Sequence, residues 1–162
     1  MTRAVMPGSF DPVTYGHLDV IERASDLFED LIIAVVENPA KCCLFSLQER
    51  VGFLVGTVNH LANVRVDTFS GLLVAYMQSA RARVIVRGLR VATDFEYELQ
   101  MALMNHELFA EVETVFLPSS HRYSFLSSSL VKEVALHGGS ITAFVPGQVE
   151  EVLKRKISAE RG

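Results

Sequence analysis

The sequence predicts an α/β fold in which helices cover both faces of one parallel sheet. Short apolar runs alternate with longer segments of helical period along the whole 162-residue chain, and this alternation is typical of doubly wound α/β domains. The run at residues 31–36 has no polar position, so we expect it to be covered on both sides, as strands of parallel sheets are. The crossover connections should be right-handed.

The composition restricts the classes of protein to consider. Hydrophobic residues make up 49 % of the chain and charged residues 21 %, which is enough for a buried core and excludes a disordered chain. The length predicts one domain over residues 1–162. A formal net charge of −4 argues against a nucleic-acid partner, although it leaves room for a local cationic pocket.

The amino terminus and the cysteines predict a cytoplasmic protein. Residues 1–3 lead directly into a short apolar run, without the long apolar segment of a secretory signal. Apolar stretches stay below the roughly 18 residues that cross a bilayer, so we expect no membrane partner. The two cysteines, Cys42 and Cys43, are adjacent and too few for a disulfide framework, which fits a reducing compartment.

The first strand and helix are predicted at residues 4–6 and 17–28, joined by a loop from Gly8 to Thr14. Residues 4–6 are apolar. Between 17 and 28 the apolar residues recur at helical spacing on one face, which predicts an amphipathic helix. The apolar run at 31–36 is the second strand.

Two capping boxes predict where later helices begin. Ser46 and Glu49 have the required spacing, because the serine can accept a free backbone N–H while the glutamate bonds back to the cap. Thr93 and Glu96 repeat the pattern and should open a helix that runs to about Leu108.

The remaining elements follow from periodicity and turn residues. Strands are expected at 64–68, 84–86 and 114–117, and helices at 72–79 and 148–157. Residues 127–129 lead another helix that should end at Gly138, a glycine stop. Together these elements predict a single doubly wound, Rossmann-like sheet of five parallel strands with helices on both faces.

In such sheets ligands bind beyond the carboxyl ends of the strands, where the strand order reverses. The loop after the first strand carries several features of a ligand site. Gly8 and Gly16 allow tight turns, Ser9 supplies a hydroxyl, and His17 places an imidazole at the start of a helix. Free N–H groups and the helix dipole make that position a phosphate site. The alternative is a structural turn with His17 as an ordinary helix-start residue. The dinucleotide fingerprint G-x-G-x-x-G is absent, which argues against a nicotinamide cofactor.

Basic side chains follow two more strands. Lys41 comes after the second strand, and Arg87 and Arg90 come after the fourth. Arginine favours phosphate because its planar fork donates two parallel hydrogen bonds. The alternatives are a solvated lysine and ion pairs from the arginines to the next helix, at Asp94, Glu96 or Glu98.

A serine run after the fifth strand predicts a second anion site. Residues 127–129 supply hydroxyls and free N–H groups at a helix start, although an ordinary N-cap is the alternative. Tyr123 or Phe125 could pack against a nucleobase. The sequence contains neither an acyl-transfer triad in a nucleophile-elbow context nor a carboxylate cluster for a metal pair, so no metal ligands are assigned. Several anion-binding loops on one sheet edge favour phosphoryl chemistry, which depends on positioning and charge stabilisation.

These segments resemble a known family. Gly8 to Pro12 with Thr14 to His17 resembles the T/H-x-G-H signature of the nucleotidyltransferase superfamily, and Leu126 to Ser129 resembles its serine-rich signature. The segments 87–105 and 123–134 are more particular and resemble bacterial phosphopantetheine adenylyltransferases, a likeness that extends over nearly the whole chain.

The resemblance implies transfer of AMP from ATP to 4'-phosphopantetheine, which gives dephospho-coenzyme A and pyrophosphate. It implies that His17 stabilises the transition state. The implied phosphopantetheine contacts are Ser9, Lys41, Leu73 and Arg87. The implied ATP contacts are Ser9, Phe10, His17, Gly88, Leu89, Arg90, Glu98, Tyr123, Ser124, Phe125, Leu126, Ser127, Ser128 and Ser129. Magnesium and a homohexamer are implied as well.

Two other functions stay open on the sequence alone. One is a nucleotide-binding module without this catalysis, such as an electron-transfer flavoprotein, because a fold does not fix a function. The other is a related cytidylyltransferase or nicotinamide mononucleotide adenylyltransferase. The combination of Ser9 and His17 with the two arginines favours an enzyme. Because a phosphate is already a competent nucleophile at neutral pH, we expect direct in-line attack on ATP without a covalent intermediate.

Overall fold

The computed structural model describes residues 2–161, except for the side chains of Ala92, Thr93, Glu160 and Arg161. Five strands form one sheet in the order β3-β2-β1-β4-β5, and every neighbouring pair is parallel. The strands are β1 (Arg3–Gly8), β2 (Asp30–Glu37), β3 (Val64–Ser70), β4 (Val84–Leu89) and β5 (Glu113–Pro118). The predicted doubly wound, Rossmann-like fold is confirmed.

Six helices connect and follow these strands. They are α1 (Tyr15–Leu27), α2 (Leu47–Val58), α3 (Leu73–Ala80), α4 (Ala92–Leu108), α5 (Ser128–Leu136) and α6 (Gly147–Arg161). A short 3-10 turn at His121–Tyr123, which the sequence pattern did not predict, precedes α5. No helix within residues 2–161 is both long enough and apolar enough to cross a membrane.

The strand order reverses between β1 and β4. β1 pairs with β2 on one side and with β4 on the other. The chain proceeds from β1 through β2 to β3 in one direction and then crosses back from β3 to β4 on the other side of β1. A crevice opens beyond the carboxyl ends of strands at such a point. The topology therefore favours a ligand site at the ends of β1 and β4.

Both faces of the sheet are buried, as the apolar run in β2 predicts. Leu31, Ile33 and Val35 belong to a large core with residues of α1, α2, α5 and α6. Ile32 and Ala34 belong to a smaller core with residues of α3. Alternation of β2 side chains between two cores explains why this strand carries no polar position.

The predicted elements are all present, but several of their boundaries differ from the structure. The capping box at Ser46 is confirmed, since the Ser46 hydroxyl accepts from the Glu49 N–H and Glu49 bonds back. α1 begins two residues before the predicted start, because Thr14 is its N-cap. β4 continues to Leu89, so Arg87 lies in the strand rather than after it.

The predicted start of α4 at Thr93 is wrong. α4 begins at Ala92 with Val91 as N-cap, and no side chain caps it. The backbone alone closes the first turn, with the Asp94 N–H donating to the Val91 carbonyl at 3.1 Å. The side chain of Thr93 lies outside the described part of the structure.

α4 is apolar on a large exposed surface, which is unusual for a helix at the edge of a domain. Its large side chains that remain more than a third exposed are Phe95, Tyr97, Leu99, Met101, Leu103, Met104 and Leu108. Contiguous apolar patches of this kind mark interaction surfaces in soluble proteins.

Candidate active site

A cleft of about 600 Å³ lies at the reversal of strand order. The ends of β1 and β4 form its floor, and the starts of α1 and α5 form its walls. Lys41, from the loop after β2, also lines it. The separate polar loops noted in the sequence therefore meet at one site, as expected for parallel strands.

The loop after β1 has a constrained backbone. Phe10 has a positive φ of 48°, a conformation that few side chains adopt without support. The Phe10 ring is buried and lies over Gly8, where an added Cβ would come within 3.0 Å of it. The same ring contacts the edge of His17, with 5.0 Å between ring centroids. A side chain at position 8 would therefore press on the ring that contacts His17.

The cap of α1 fixes the tautomer of His17. Thr14 is the N-cap, and its hydroxyl accepts from the His17 N–H. The Thr14 N–H donates to His17 Nδ1 at 3.0 Å. Because Nδ1 accepts a hydrogen bond, the proton of the neutral ring is on Nε2. Nε2 is thus the donor that His17 can offer to a ligand.

His17 is neutral at physiological pH. Burial is the largest cause that lowers its pKa, and the charges of Arg90 and Arg87 add to it, so the pKa falls from 6.5 to about 4. A cationic imidazole would be desolvated and would face two guanidinium groups. The site therefore contains an uncharged N–H donor among cations.

The start of α1 offers fewer free amides than the sequence suggested. The Tyr15 N–H donates to the Phe144 carbonyl at 2.8 Å, and the His17 N–H donates to the Thr14 hydroxyl at 3.3 Å. Two of the first three amides of the helix are therefore already paired. The His17 side chain, rather than the helix terminus, is therefore the main donor that this segment offers to an anion.

Lys41 and Ser9 meet although 32 positions separate them. Lys41 Nζ donates to the Ser9 hydroxyl at 2.9 Å. The pair joins an ammonium group to a hydroxyl at the end of β1, and both can contact one phosphate. Lys41 is exposed, as the alternative of a solvated lysine predicts. That alternative does not account for its hydrogen bond to Ser9.

Asp11 ties three segments together below the cleft. Its buried carboxylate accepts from the N–H groups of Leu44 and Phe45, each at 2.9 Å, and from Lys132 Nζ at 2.9 Å. Burial alone would raise the pKa of Asp11, but the hydrogen bonds from Lys132, Phe45 and Leu44 lower it overall. Asp11 is thus ionised and holds the Lys41 loop against α5.

Both arginines of β4 and its following loop form ion pairs with α4. Arg87 Nε and Nη2 donate to Glu98 at 2.7 and 2.6 Å, and Nη1 donates to the Pro7 carbonyl at 2.7 Å. Arg90 forms a similar fork on Asp94 at 3.0 and 3.3 Å. These bonds use three of the five N–H groups of Arg87. The ion-pair and phosphate-binding interpretations are therefore compatible.

The serine run serves as both cap and wall. Ser127 is the N-cap of α5 and accepts from the Leu130 N–H at 3.1 Å. The Ser128 hydroxyl donates to the Pro12 carbonyl at 2.7 Å, which joins α5 to the loop after β1. The ordinary N-cap interpretation is confirmed for Ser127, while all three serines line the cleft.

Most of the residues predicted for the site line the cleft. These are Ser9, Phe10, His17, Lys41, Arg87, Gly88, Arg90, Glu98, Tyr123, Leu126, Ser127, Ser128 and Ser129. Four others do not line it in this structure. Leu73 packs against the smaller core, and Leu89 pairs with Pro118 at the sheet edge. The Ser124 hydroxyl donates to the His121 carbonyl, and Phe125 is exposed beside Phe144.

Sequence reasoning missed several residues that line the cleft. Lys132 lies one turn of α5 after Ser128, and this spacing was a signal that could have found it. Asp11 carried no such signal, because its partners at 44, 45 and 132 are remote in sequence. Asp94, Tyr97 and Ser119 line the cleft as well.

The cleft contains the parts of a polyphosphate site. Lys41, Lys132, Arg87 and Arg90 supply positive charge, and His17 supplies a neutral donor between them. Among the described residues, no group of three or more His, Cys, Asp or Glu side chains is placed to hold a metal ion. Such an arrangement is suited to binding anionic groups and to stabilising negative charge that develops on one of them.

Comparison with known proteins gives consistent results. Residues 5–134 match the cytidylyltransferase-like family model. A phosphopantetheine adenylyltransferase of Thermosynechococcus vestitus is 56 % identical over 93 % of this chain and 90 % of its own length. Another, of Caldanaerobacter subterraneus, is 54 % identical over 97 % of this chain and 98 % of its own.

A solved structure supports the fold. The protein of Vibrio parahaemolyticus, provisionally described as a nicotinate-nucleotide adenylyltransferase, superposes with a TM-score of 0.72. The match covers 97 % of this chain and 95 % of that one, at 16 % sequence identity. At this identity the likeness concerns the fold alone.

The protonation of His17 can be measured directly. We expect nitrogen-15 NMR to show the Nε2–H tautomer at pH 7 and a titration near pH 4, because burial and the two arginines oppose the cation. The unfolded chain takes up this proton near pH 6.5, so this contribution to stability is present above pH 6.5 and is lost as the pH falls towards 4. An Nδ1–H tautomer, or titration at the ordinary value, would contradict the assignment.

Proposed function

Because the chain belongs to the cytidylyltransferase-like family and, within it, to the phosphopantetheine adenylyltransferases, we propose that it transfers the adenylyl group of ATP to 4'-phosphopantetheine. The products are dephospho-coenzyme A and pyrophosphate. The observation that carries this proposal is the convergence of Lys41 and Ser9 with His17 and Arg90 in one cleft. A module that only binds nucleotides has no need for a tautomer-fixed donor between phosphate-binding cations.

The acceptor phosphate is proposed to bind at the Lys41 end of the cleft. The contact of 2.9 Å between Lys41 Nζ and the Ser9 hydroxyl supports this, since one phosphate can accept from both. Arg87 keeps two N–H groups beyond its bonds to Glu98 and Pro7. These positive charges offset the repulsion between the acceptor phosphate and the triphosphate of ATP.

ATP is proposed to bind across the starts of α1 and α5. Arg90, Lys132 and Ser129 line the same cleft as His17 and suit a triphosphate. Tyr123 also lines this cleft, and its aromatic ring is proposed to pack against the adenine. The loop that carries Tyr123 is fixed to α1, because Asp19 accepts from the N–H and hydroxyl of Ser120.

The proposed chemical step is direct and in line. A non-bridging oxygen of the acceptor phosphate attacks the α-phosphorus, and the bond from that phosphorus to the bridging oxygen of pyrophosphate breaks. The phosphate needs no general base at neutral pH. Holding both substrates together can contribute about 7–11 kcal/mol. The His17 Nε2–H donates to the α-phosphate as charge grows there, which lowers the barrier when the bond is stronger in the transition state.

Magnesium is proposed to arrive with ATP. The carboxylates of Asp11, Asp94 and Glu98 line the cleft, and each is paired with a lysine or arginine. These residues therefore fit a cation carried by the triphosphate, with phosphate and water oxygens as ligands, better than one held by the protein. When bound, the ion would neutralise charge on the leaving pyrophosphate.

The protein is also proposed to act as a cytoplasmic homohexamer of two stacked trimers. The exposed apolar surface of α4 supports self-association, because apolar area of this kind is usually covered by a partner. Closed symmetry is the common arrangement of such assemblies. The free thiols of Cys42 and Cys43 fit a reducing compartment.

A transfer assay tests the function and the mechanism together. Incubation with ATP and phosphopantetheine should release pyrophosphate, and ATP with a chiral α-phosphorothioate should react with inversion, because one displacement inverts phosphorus. Retention, or exchange of labelled pyrophosphate into ATP without acceptor or product, would show a covalent intermediate. An active but retaining enzyme would contradict the mechanism alone, whereas absence of product would contradict the function.

Replacement of His17 tests its role in the chemical step. His17→Ala should lower kcat by about 10²–10³, as loss of an oxyanion-hole donor does, while ATP binding changes little. The matched control is His60→Ala, because His60 is exposed and pairs with Glu22 outside the cleft. Single-turnover kinetics measures the effect. A parental rate in His17→Ala would remove this residue from the mechanism.

Replacement of Lys41 tests the orientation of the substrates. Lys41→Ala should weaken phosphopantetheine binding by about 10- to 100-fold, the usual effect of losing a charged hydrogen bond. ATP affinity should fall much less. Lys154→Ala is the control, because Lys154 is an exposed lysine of α6 that pairs with Glu150 and does not line the cleft. Calorimetric titration with each substrate measures both affinities, and an equal loss for ATP would move Lys41 to the nucleotide side.

The proposed assembly predicts a defined mass. Light scattering at micromolar concentration should give six times the monomer mass of 17.9 kDa. Met104→Glu should shift the mass downwards, because it places a charge in the apolar surface of α4. Val55→Glu is the control, since Val55 is similarly exposed but lies on α2. A parent protein with monomer mass would contradict the assembly.

A further inference from the structure

Arg50 is a buried cation directly beneath the acceptor side of the cleft. It lies on α2 and is only 4 % exposed. Its Nη1 donates to the Ser9 carbonyl at 2.8 Å and to the Val36 carbonyl at 3.1 Å. One guanidinium group therefore joins the end of β1 to the end of β2, immediately below the hydroxyl that Lys41 contacts.

Arg50 has no carboxylate partner within the described part of the chain. The adjacent Glu49 pairs with Lys156 at 3.1 Å, and the buried Asp11 pairs with Lys132 at 2.9 Å. Arg50 Nε is buried without a hydrogen-bond partner. Burial of a cation without a counter-ion is costly, so its presence calls for an anion that is not part of the folded chain itself.

The geometry points to Arg50 as a positioning residue for the acceptor phosphate, with its charge balanced by that phosphate when the acceptor binds. This inference rests on the proposed function for the identity of the acceptor. Arg50 does not touch the substrate in this scheme. It acts through Ser9, whose carbonyl it holds while the hydroxyl on the same residue is bonded by Lys41.

Two effects of Arg50 follow from the same contacts. The bonds to the Ser9 and Val36 carbonyls fix the relative position of the loops after β1 and β2, and these loops carry the two proposed phosphate contacts, Ser9 and Lys41. The buried charge also raises the positive potential at that position, and water and salt screen it little because protein surrounds it. A residue with a purely structural role would fix the two loops but would not raise the potential at the phosphate position.

The test compares a neutral and a charged substitution with a matched control. Arg50→Gln removes the charge, and Arg50→Lys retains it without the fork. Arg83→Gln is the control, because Arg83 is an exposed arginine that pairs with Glu111 outside the cleft. For each protein, affinities for phosphopantetheine, ATP and inorganic phosphate are measured by calorimetric titration, at low and high salt, and folding is checked by thermal unfolding.

We expect Arg50→Gln to bind phosphopantetheine about tenfold more weakly and to bind inorganic phosphate more weakly by a similar factor, as loss of one nearby charge predicts. ATP affinity should stay within about threefold of the parent, since Arg50 lies beneath the acceptor side. Arg50→Lys should recover part of the loss, and Arg83→Gln should match the parent. The loss in Arg50→Gln should persist at high salt, because a buried charge is poorly screened.

Several results would overturn the inference. These are parental phosphopantetheine affinity in a folded Arg50→Gln, an equal loss for ATP, no recovery in Arg50→Lys, or failure of both variants to fold, which would indicate a purely structural role. The inorganic phosphate titration separates this inference from the proposed function. If the parent binds phosphate but transfers no adenylyl group, the proposed function fails, and an undiminished phosphate affinity in Arg50→Gln would then overturn the role of Arg50 independently.

Discussion

The Asp11 carboxylate is the interaction on which the rest of the cleft depends. It is 4 % exposed, and it accepts hydrogen bonds from two amides of the loop after β2 and from Lys132 of α5. The sheet brings the strand ends together, but it does not fix the loops beyond them. The buried Asp11 carboxylate is bonded by the loop that carries Lys41 and by α5. It therefore holds both segments in place relative to the end of β1. Loss of a partner would leave a buried charge uncompensated, which is strongly destabilising.

Three of the four cations that line the cleft are paired with carboxylates that also line it. Arg87 pairs with Glu98, Arg90 with Asp94 and Lys132 with Asp11, at distances of 2.6–3.3 Å. Such pairing keeps the guanidinium planes in fixed orientations and limits repulsion between them before any anion binds. Preorganised groups of this kind need little rearrangement when charge develops on a ligand, which is where electrostatic catalysis gains most.

The sequence predicted the fold better than it predicted the site, and the reason is physical. Periodicity and capping boxes are local, so the strands, the Ser46 cap and the Gly138 stop could be found from short windows. α4 departed from its expected start because a backbone turn at Val91, rather than a side chain, begins it. Lys41 and Ser9 could be predicted to share a site because each follows a strand. In a parallel sheet, the carboxyl ends of neighbouring strands lie at the same edge. The roles of Asp11 and Arg50 could not be predicted from the sequence. They depend on burial and on partners in remote segments, and a single sequence displays neither.

Because His17 is neutral, its proposed role differs from that of the charged residues around it. A cationic imidazole beside Arg87 and Arg90 would bind a triphosphate strongly before reaction, and binding that is equal in ground and transition states does not raise kcat. The structure instead lowers the pKa of His17 to about 4, chiefly by burial, and fixes its proton on Nε2 through the Thr14 N–H. In the proposed mechanism, the arginines and lysines supply affinity, while a neutral donor responds to the charge that appears on one phosphate oxygen. The same arginines that attract the ligand help to keep this donor neutral, so affinity and the protonation state of His17 follow from one arrangement of charges.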